Sequence, residues 1–204
     1  PGLEGHSDLK QEKSTDYNCG VSYRNNWVSG QVKAFFRRGT DMIDWVKKQG
    51  ATAYTSDNCD IDNIGAEALV SFSFNSFVNS LSIGYCYNHQ QRRNVDETSV
   101  YASPLSYLKH KAVASLNHSI ISKLSMQWDF TFKSRVGEFD DAVTSLPRPY
   151  GSFCTLDIKL QWTDKTYTLY AQANNVTNRT YYDIPNVPQP GIWMIGGAKV
   201  NFNL

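Results

Sequence analysis

Five side chains in this sequence are built to grip a molecule rather than to cut one: Tyr54, Arg92, Arg93, Tyr181 and Tyr182. Tyrosine rings stack on flat ligands, and paired guanidinium groups read carboxylates or phosphates through their rigid donor fork. The ordinary alternatives are an aromatic belt for the tyrosines and a solvated loop for the arginines. Asp57, Asp60 and Asp62, with Asn58 and Asn63, offer the several oxygens that calcium wants, but lack the glycine and closing glutamate of an EF-hand loop, so no metal cofactor is expected. His6, His89, His110 and His118 are scattered. His110 and His118, eight residues apart, would stand about 26 Å apart along a strand and could not share an ion. Asp140 and Asp141 adjoin, where neighbouring side chains rarely converge on one substrate, and no nucleophile–base set or phosphate-cradling glycine loop is present. Catalysis is not expected.

Any binding residue must be held by an element, and the elements announce themselves in 124-LSMQWDFTF-132. Leu124, Met126, Trp128, Phe130 and Phe132 alternate strictly with Ser125, Gln127, Asp129 and Thr131, the period-two pattern of a strand with one apolar and one polar face. The same alternation recurs eight times more: from Tyr17, Val28, Ala66, Leu81, Ala112, Cys154, Tyr167 and Met194. Nine strands are expected, and 41-DMIDWV-46 is read as a prolonged strand rather than a helix. The composition agrees, with aromatics at 13% of 204 residues and a mean hydropathy of only -0.45. A net charge of +1 gives no electrostatic case for nucleic acid.

Connections alternate in length. Those at 25–26, 75–77, 120–122 and 163–165 are short; those at 47–62, 89–106, 137–150 and 178–190 are long. In an up-and-down antiparallel sheet this puts all short turns on one rim and all long loops on the other, as in an outer-membrane barrel. Residues 68–91 lack Asp, Glu, Lys and Arg, but Asn75, Asn79, Asn88 and repeated serines argue against a spanning helix. Patterned segments of about 9 to 12 residues suit a tilted strand crossing hydrocarbon better than a sandwich strand of about 5 to 6. Trp27, Tyr85, Tyr87, Trp162, Tyr167 and Trp193 near strand ends are expected to form the two aromatic girdles. A soluble β-barrel carrier, with the apolar face as its core, is the competing reading.

Several ordered motifs carry a resemblance. The segment 173-ANNVTNRTYYDIPNVPQPGIWMIGGAKVNFNL-204 resembles the end of TonB-dependent outer-membrane receptors, where N-N-x-x-N-x-x-Y-Y leads through a loop into the closing strand. 8-DLKQEKSTDYNCGVSY-23, 33-KAFFRRGTDMIDWV-46 and 63-NIGAEALVSF-72 are similar to further segments of that family, and 107-YLKHKAVASLNHSI-120 is similar to members from Bacteroidetes-type bacteria like the vitamin B12 receptor. The resemblance implies an all-β transmembrane antiparallel barrel of about 22 strands. Residues 1–204 would form its C-terminal portion of nine or so strands, with the plug domain and N-terminal strands supplied elsewhere.

The resemblance also implies a role: import of a scarce, bulky nutrient across the bacterial outer membrane. Cobalamin or a related corrinoid is the first expectation, and an iron–siderophore complex or haem the alternative. Implied partners are the rest of the receptor, the TonB complex, lipid and lipopolysaccharide, the nutrient itself and a surface lipoprotein. The five residues named at the outset would belong to extracellular loops. Leu204 departs from the aromatic residue expected at the end of such a chain, though Phe202 keeps the face apolar. The opening 1-PGLEGHSDLK-10 has no basic-then-apolar pattern, so no signal peptide is expected within it. The four cysteines, with no C-x-x-C spacing, are read as small apolar strand residues.

Overall fold

A computed structural model describes residues 3–48, 50–93, 99–101 and 107–200. Nine long strands follow one another: β2 (Lys13–Arg24), β3 (Val28–Lys48), β4 (Tyr54–Ser73), β5 (Val78–Arg93), β7 (Tyr107–Ile121), β8 (Leu124–Asp140), β9 (Pro147–Thr163), β10 (Tyr167–Asn174) and β13 (Trp193–Val200). Four short pieces accompany them: β1 (Leu3–Glu4), β6 (Ser99–Tyr101), β11 (Tyr182–Ile184) and β12 (Val187–Pro188). The long strands form a single antiparallel meander, each paired with its neighbours in chain order from β2 to β13. The expected nine-strand order is the observed one. Residues 94–98, 102–106 and 201–204, which hold part of the expected second long loop, Phe202 and Leu204, lie outside the described residues.

Cross-strand register shows why the alternation matters. Directly opposed residues share a face, and the pairings join Tyr23, Gly30, Val70, Ile83, Ala114, Phe130 and Leu156 into one apolar row across seven strands. One residue along, Arg24, Ser29, Ser71, Ser82, Ser115, Asp129 and Asp157 line up on the other face. The sheet is one layer thick, and among the described residues nothing packs over the apolar rows. Val21, Val32, Ile83, Phe130 and Leu160 all stand exposed, and no described side chain falls below 2% exposure. A soluble chain of this length would bury roughly 70% of its surface. The apolar side chains that are buried, Val46, Cys59, Tyr107, Phe139 and Phe153, lie toward the long-loop rim instead of mid-strand.

Rings bound the apolar band at both ends. Trp27 stacks on Phe72 (6.2 Å), and Phe72 on Phe74 (6.2 Å), beside the short turns. At the far side Tyr17 stacks on Phe36 (6.3 Å), whose cross-strand partner is Ile64, and Tyr87 meets His110 (5.3 Å). From Phe72 to Ile64 on β4 is eight residues, about 26 Å along the strand, close to the ~25 Å band of an outer-membrane barrel. Trp193 is a correction to the expected girdle: it pairs with Asn174 and so lies on the polar face, while Met194 takes the apolar one.

Strands also run further than the sequence pattern suggests. The loop expected at 47–62 is mostly strand: β3 continues to Lys48 and β4 starts at Tyr54. A bulge between Gly39 and Met42 marks where this hairpin leaves the sheet, with Asp41 at φ 56° and its N–H donated to Asp60 Oδ1 (3.1 Å). Two of its edges are covered. β6 pairs with Val46–Lys48, and β1 runs parallel to Tyr54–Thr55. Likewise 137–150 is strand except for 141–146. The length contrast between rims is therefore a contrast in strand extension, since all short turns still fall at 25–27, 74–77, 122–123 and 164–166.

Candidate functional site

Inner-face residues at the long-loop rim are the candidates for ligand contact, and the register defines them. Gly20, Lys33, Glu67, Cys86, Lys111, Lys133 and Phe153 form a polar row across seven strands, toward the long-loop side of the serine row. Three lysines against one glutamate make this band of the inner wall cationic. Aromatic residues that break the alternation pack tightly here. The ring of Phe35 lies over Gly65, whose absent Cβ would sit 2.3 Å from it, and Tyr170 lies over Gly197 in the same way (2.5 Å). At Gly65 the backbone carbonyl of Tyr87 also stands 2.4 Å from that position, so a Cβ has no room there, whereas at Gly197 only the Tyr170 ring would have to move.

The last long loop folds onto this wall. Tyr181 stacks on Phe153 (4.2 Å, 19°), and Lys133 Nζ stands 5.6 and 5.7 Å from the two ring centres while pairing with Asp183 (3.0 Å). Arg135 lies over Tyr150 (4.7 Å) and donates to the Asp183 carbonyl (3.2 Å). Tyr182 packs beside Phe139 (5.4 Å) under Arg148 (4.5 Å). The loop's asparagines explain the N-N-x-x-N spacing. Asn175 and Asn178 adopt positive φ (48° and 49°), a region asparagine enters more readily than most residues. Asn175 Nδ2 donates to the carbonyls of Arg179 and Pro190, tying both ends of the loop together. Asn178 Oδ1 accepts from the Ile192 N–H and occupies the space a Cβ at Gly191 would need. Asn175 and Asn178 are thus loop-forming positions.

Arg92 and Arg93, adjacent in sequence, point to opposite faces. Arg92 makes an ion pair with Asp44 on the inner side, where the two side chains are only 9% and 17% exposed. Arg93 lies on the outer side, 3.0 Å from Asp62 and 3.8 Å from Asp60. Buried beside the inner pair, Cys59 has its thiol pushed up, first by burial and then by the Asp44 carboxylate. Tyr54 opens β4, paired with Leu3. The five candidates therefore form two groups, one on β4 and β5, the other on the loop over β8 and β9, with β7 between them.

The acidic cluster is also placed by the strand. Residues 57–63 lie within β4, so Asp57 stands on one face and Asp60 and Asp62 on the other, where both meet Arg93, with Arg38 3.7 Å from Asp62. Asn58 donates to the carbonyls of Lys10 and Asp41. Among the described residues no group of three His, Cys, Asp or Glu is placed to hold a metal. Asp141 serves a turn. The N–H groups of Val143 and Thr144, with Arg148, hold its carboxyl below the usual range. All four cysteines are free thiols: Cys19 and Cys154 share the apolar face, whereas Cys86 stands in the lysine row.

Sequence alternation could have found Phe35, Phe153 and Tyr170, since each is an aromatic residue out of phase with its strand. Lys133, Arg135 and Arg148 had no such signal, because a cation on a polar face is ordinary.

A family model described as "TonB dependent receptor-like, beta-barrel" matches residues 2–176. The chain belongs to the TonB-dependent receptor-like β-barrel family. Solved structures share this receptor-barrel fold. The FrpB iron transporter from Neisseria meningitidis superposes with a TM-score of 0.71 at 16% identity, covering 96% of this chain and 32% of that one. The ferric-catecholate import receptor Fiu from K12 E. coli gives 0.72 at 13%, covering 96% and 29%. The pyoverdine receptor FpvA from Pseudomonas aeruginosa PAO1 gives 0.69 at 13%, covering 95% and 30%. The chain spans about a third of the length of these relatives. No curated protein sequence matches it.

Proposed function

We propose that this chain is part of the wall of an outer-membrane receptor that imports a scarce, bulky nutrient with energy passed by TonB. The observation that carries the reading is the one-layer meander itself. Its apolar face is continuous over seven strands and bounded by rings, and its opposite face is lined by Lys33, Glu67, Lys111, Lys133, Asp129 and Asp157. Hydrocarbon outside and a hydrated lumen inside satisfy both faces at once. Among the described residues β2 pairs only with β3, and β13 only with β10. Each unpaired backbone group facing hydrocarbon costs several kcal/mol, so further strands close the barrel against these edges, and a plug fills the lumen.

Within that receptor the 141–146 and 175–192 loops and the β3–β4 extension form part of the outer mouth. The ligand proposed first is cobalamin or a related corrinoid, on the resemblance of 107-YLKHKAVASLNHSI-120 to B12-receptor-like members. A ferric siderophore is the second reading, favoured by the similarity to Fiu and to FpvA, the latter solved with pyoverdine. Tyr54, Arg92, Arg93, Tyr181 and Tyr182 are retained as rim candidates for ligand contact. Uptake of labelled cobalamin and of labelled ferric siderophore, by cells with and without the gene and with or without a protonophore, tests the reading. Gene-dependent, protonophore-sensitive uptake of cobalamin supports it; uptake of the siderophore alone selects the second ligand. Equal uptake of both by cells lacking the gene overturns it.

A further inference from the structure

One step toward the long-loop rim from the lysine row, the inner wall changes character. Phe35 stands two residues beyond Lys33, and its ring reaches across onto Gly65, where ring atoms lie 2.3 and 2.8 Å from the place of a Cβ. Asn18 is the cross-strand partner of Phe35 on β2, and Asn88 is the partner of Gly65 on β5. Asn63, two residues along β4 from Gly65, pairs with Gln90. Neighbouring strands lie about 5 Å apart and same-face residues about 7 Å apart along a strand, so four side-chain amides surround one aromatic ring.

The fold makes no use of these amides. Among the described residues none of the four side chains makes a hydrogen bond, and the Oδ1 atoms of Asn63 and Asn88 are buried without a partner. An unpaired buried acceptor is costly, so two of them a diagonal step apart mark a surface completed from outside this chain. A side-chain amide carries an acceptor and two donors on one flat group, and its terminal torsion is soft enough to turn either end outward. The cations on either side of the ring along β3 face carboxylates: Arg37 pairs with Asp16, and Lys33 stands directly opposite Glu67. A flat apolar platform edged by uncharged donors and acceptors suits a ring with uncharged polar substituents better than it suits an anion.

We propose that Phe35, with the amides of Asn18, Asn63, Asn88 and Gln90, forms a subsite for an uncharged ring bearing amide or hydroxyl groups. The chemistry is shared by corrinoids and by sugars. The subsite rests on the receptor reading, because only in a closed barrel does this wall line a lumen. Phe36, next in the chain, marks the long-loop end of the apolar band, so the ring sits near the mouth and on the wall below the five rim candidates.

Calorimetric titration of the intact purified receptor in detergent tests this, with cyanocobalamin, maltohexaose and a ferric tricatecholate as probes. The wild type should bind cyanocobalamin or maltohexaose, and which of them binds tells the two sources apart. Phe35→Leu should weaken that binding about tenfold, and Asn63→Ala and Asn88→Ala about fivefold each, with unchanged heat-modifiable migration showing that the barrels fold. Any affinity for the ferric tricatecholate should be the same in all three variants as in the wild type. Binding of neither uncharged probe, wild-type affinity in the variants, or an equal loss of the ferric complex overturns the subsite. Variants that keep wild-type affinity but conduct ions across planar bilayers overturn it too, and show that the ring and amides hold the plug. None of these results touches the receptor reading, whose own failure shows as uptake independent of the gene.

Discussion

Tyr181 lies flat on Phe153, the ring centres 4.2 Å apart, so the last long loop is anchored to the inner wall of the barrel and does not hang free above it. Lys133 seals the contact from the side, close to both rings and paired with Asp183. A loop held this way is preformed, which would lower the ordering cost of binding for a ligand that touched it.

Phe153→Ala removes the platform. The stacking contribution lost is about 0.5–1.5 kcal/mol beyond the area buried. Hydrogen exchange at residues 181–188 should accelerate several-fold, while amides in β8 and β9 away from the substitution keep their protection. Unchanged exchange in the loop would show that the asparagine bonds alone hold it.

Arg92→Ala should loosen the β3–β4 extension. It leaves the Asp44 carboxylate nearly buried without its partner, a loss that costs about 3–5 kcal/mol when a buried pair is broken. Limited proteolysis at 49–53 should become faster, and the double change Arg92→Gln with Asp44→Asn should recover much of the loss. Equal sensitivity of single and double variants would contradict this account of the pair.

At the short-turn rim Lys123 donates to Asp164 (2.7 Å), and this bond, with the Lys165 N–H, lowers the Asp164 pKa from 3.8. A carboxyl depressed in the folded state stabilises it above its unfolded pKa, and that contribution is lost as pH falls through the lower folded value. Lys123 shifts up from 10.5 for the same reason, so its share is complete below that pH and is lost as pH rises through the raised folded value. The turn should therefore stay bridged between about pH 4 and pH 10. A carboxyl NMR titration placing Asp164 at or above 3.8 would contradict the bridge.

Much of this was legible in the residues. Alternation gave the strands and their faces because a single residue's slip would turn every apolar side chain into water, so pattern and register are locked together. Loop alternation identified the two rims. The prolonged strand at 41-DMIDWV-46 is legible in the sequence and observed; what the sequence hid is its partner 54-YTSDNCD-60, which has lost the alternation yet continues as strand because it pairs with that segment and with β1. Trp193 was misplaced for a simpler reason, since an aromatic residue beside a membrane strand carries no label for its face until its partner, Asn174, is known. The Tyr181 and Tyr182 pair was visible as a motif, but the partners that fix it, Phe153 and Phe139, come from strands far off in sequence.

The most direct test labels each position from Leu124 to Phe132 in turn, after the four native cysteines are replaced by alanine and the receptor is reconstituted in vesicles. With single cysteines carrying a fluorophore, a lipid-borne quencher should act on 124, 126, 128, 130 and 132 and spare 125, 127, 129 and 131. Quenching without this period of two, or confined to the odd positions, would contradict the assignment of the apolar face to the bilayer.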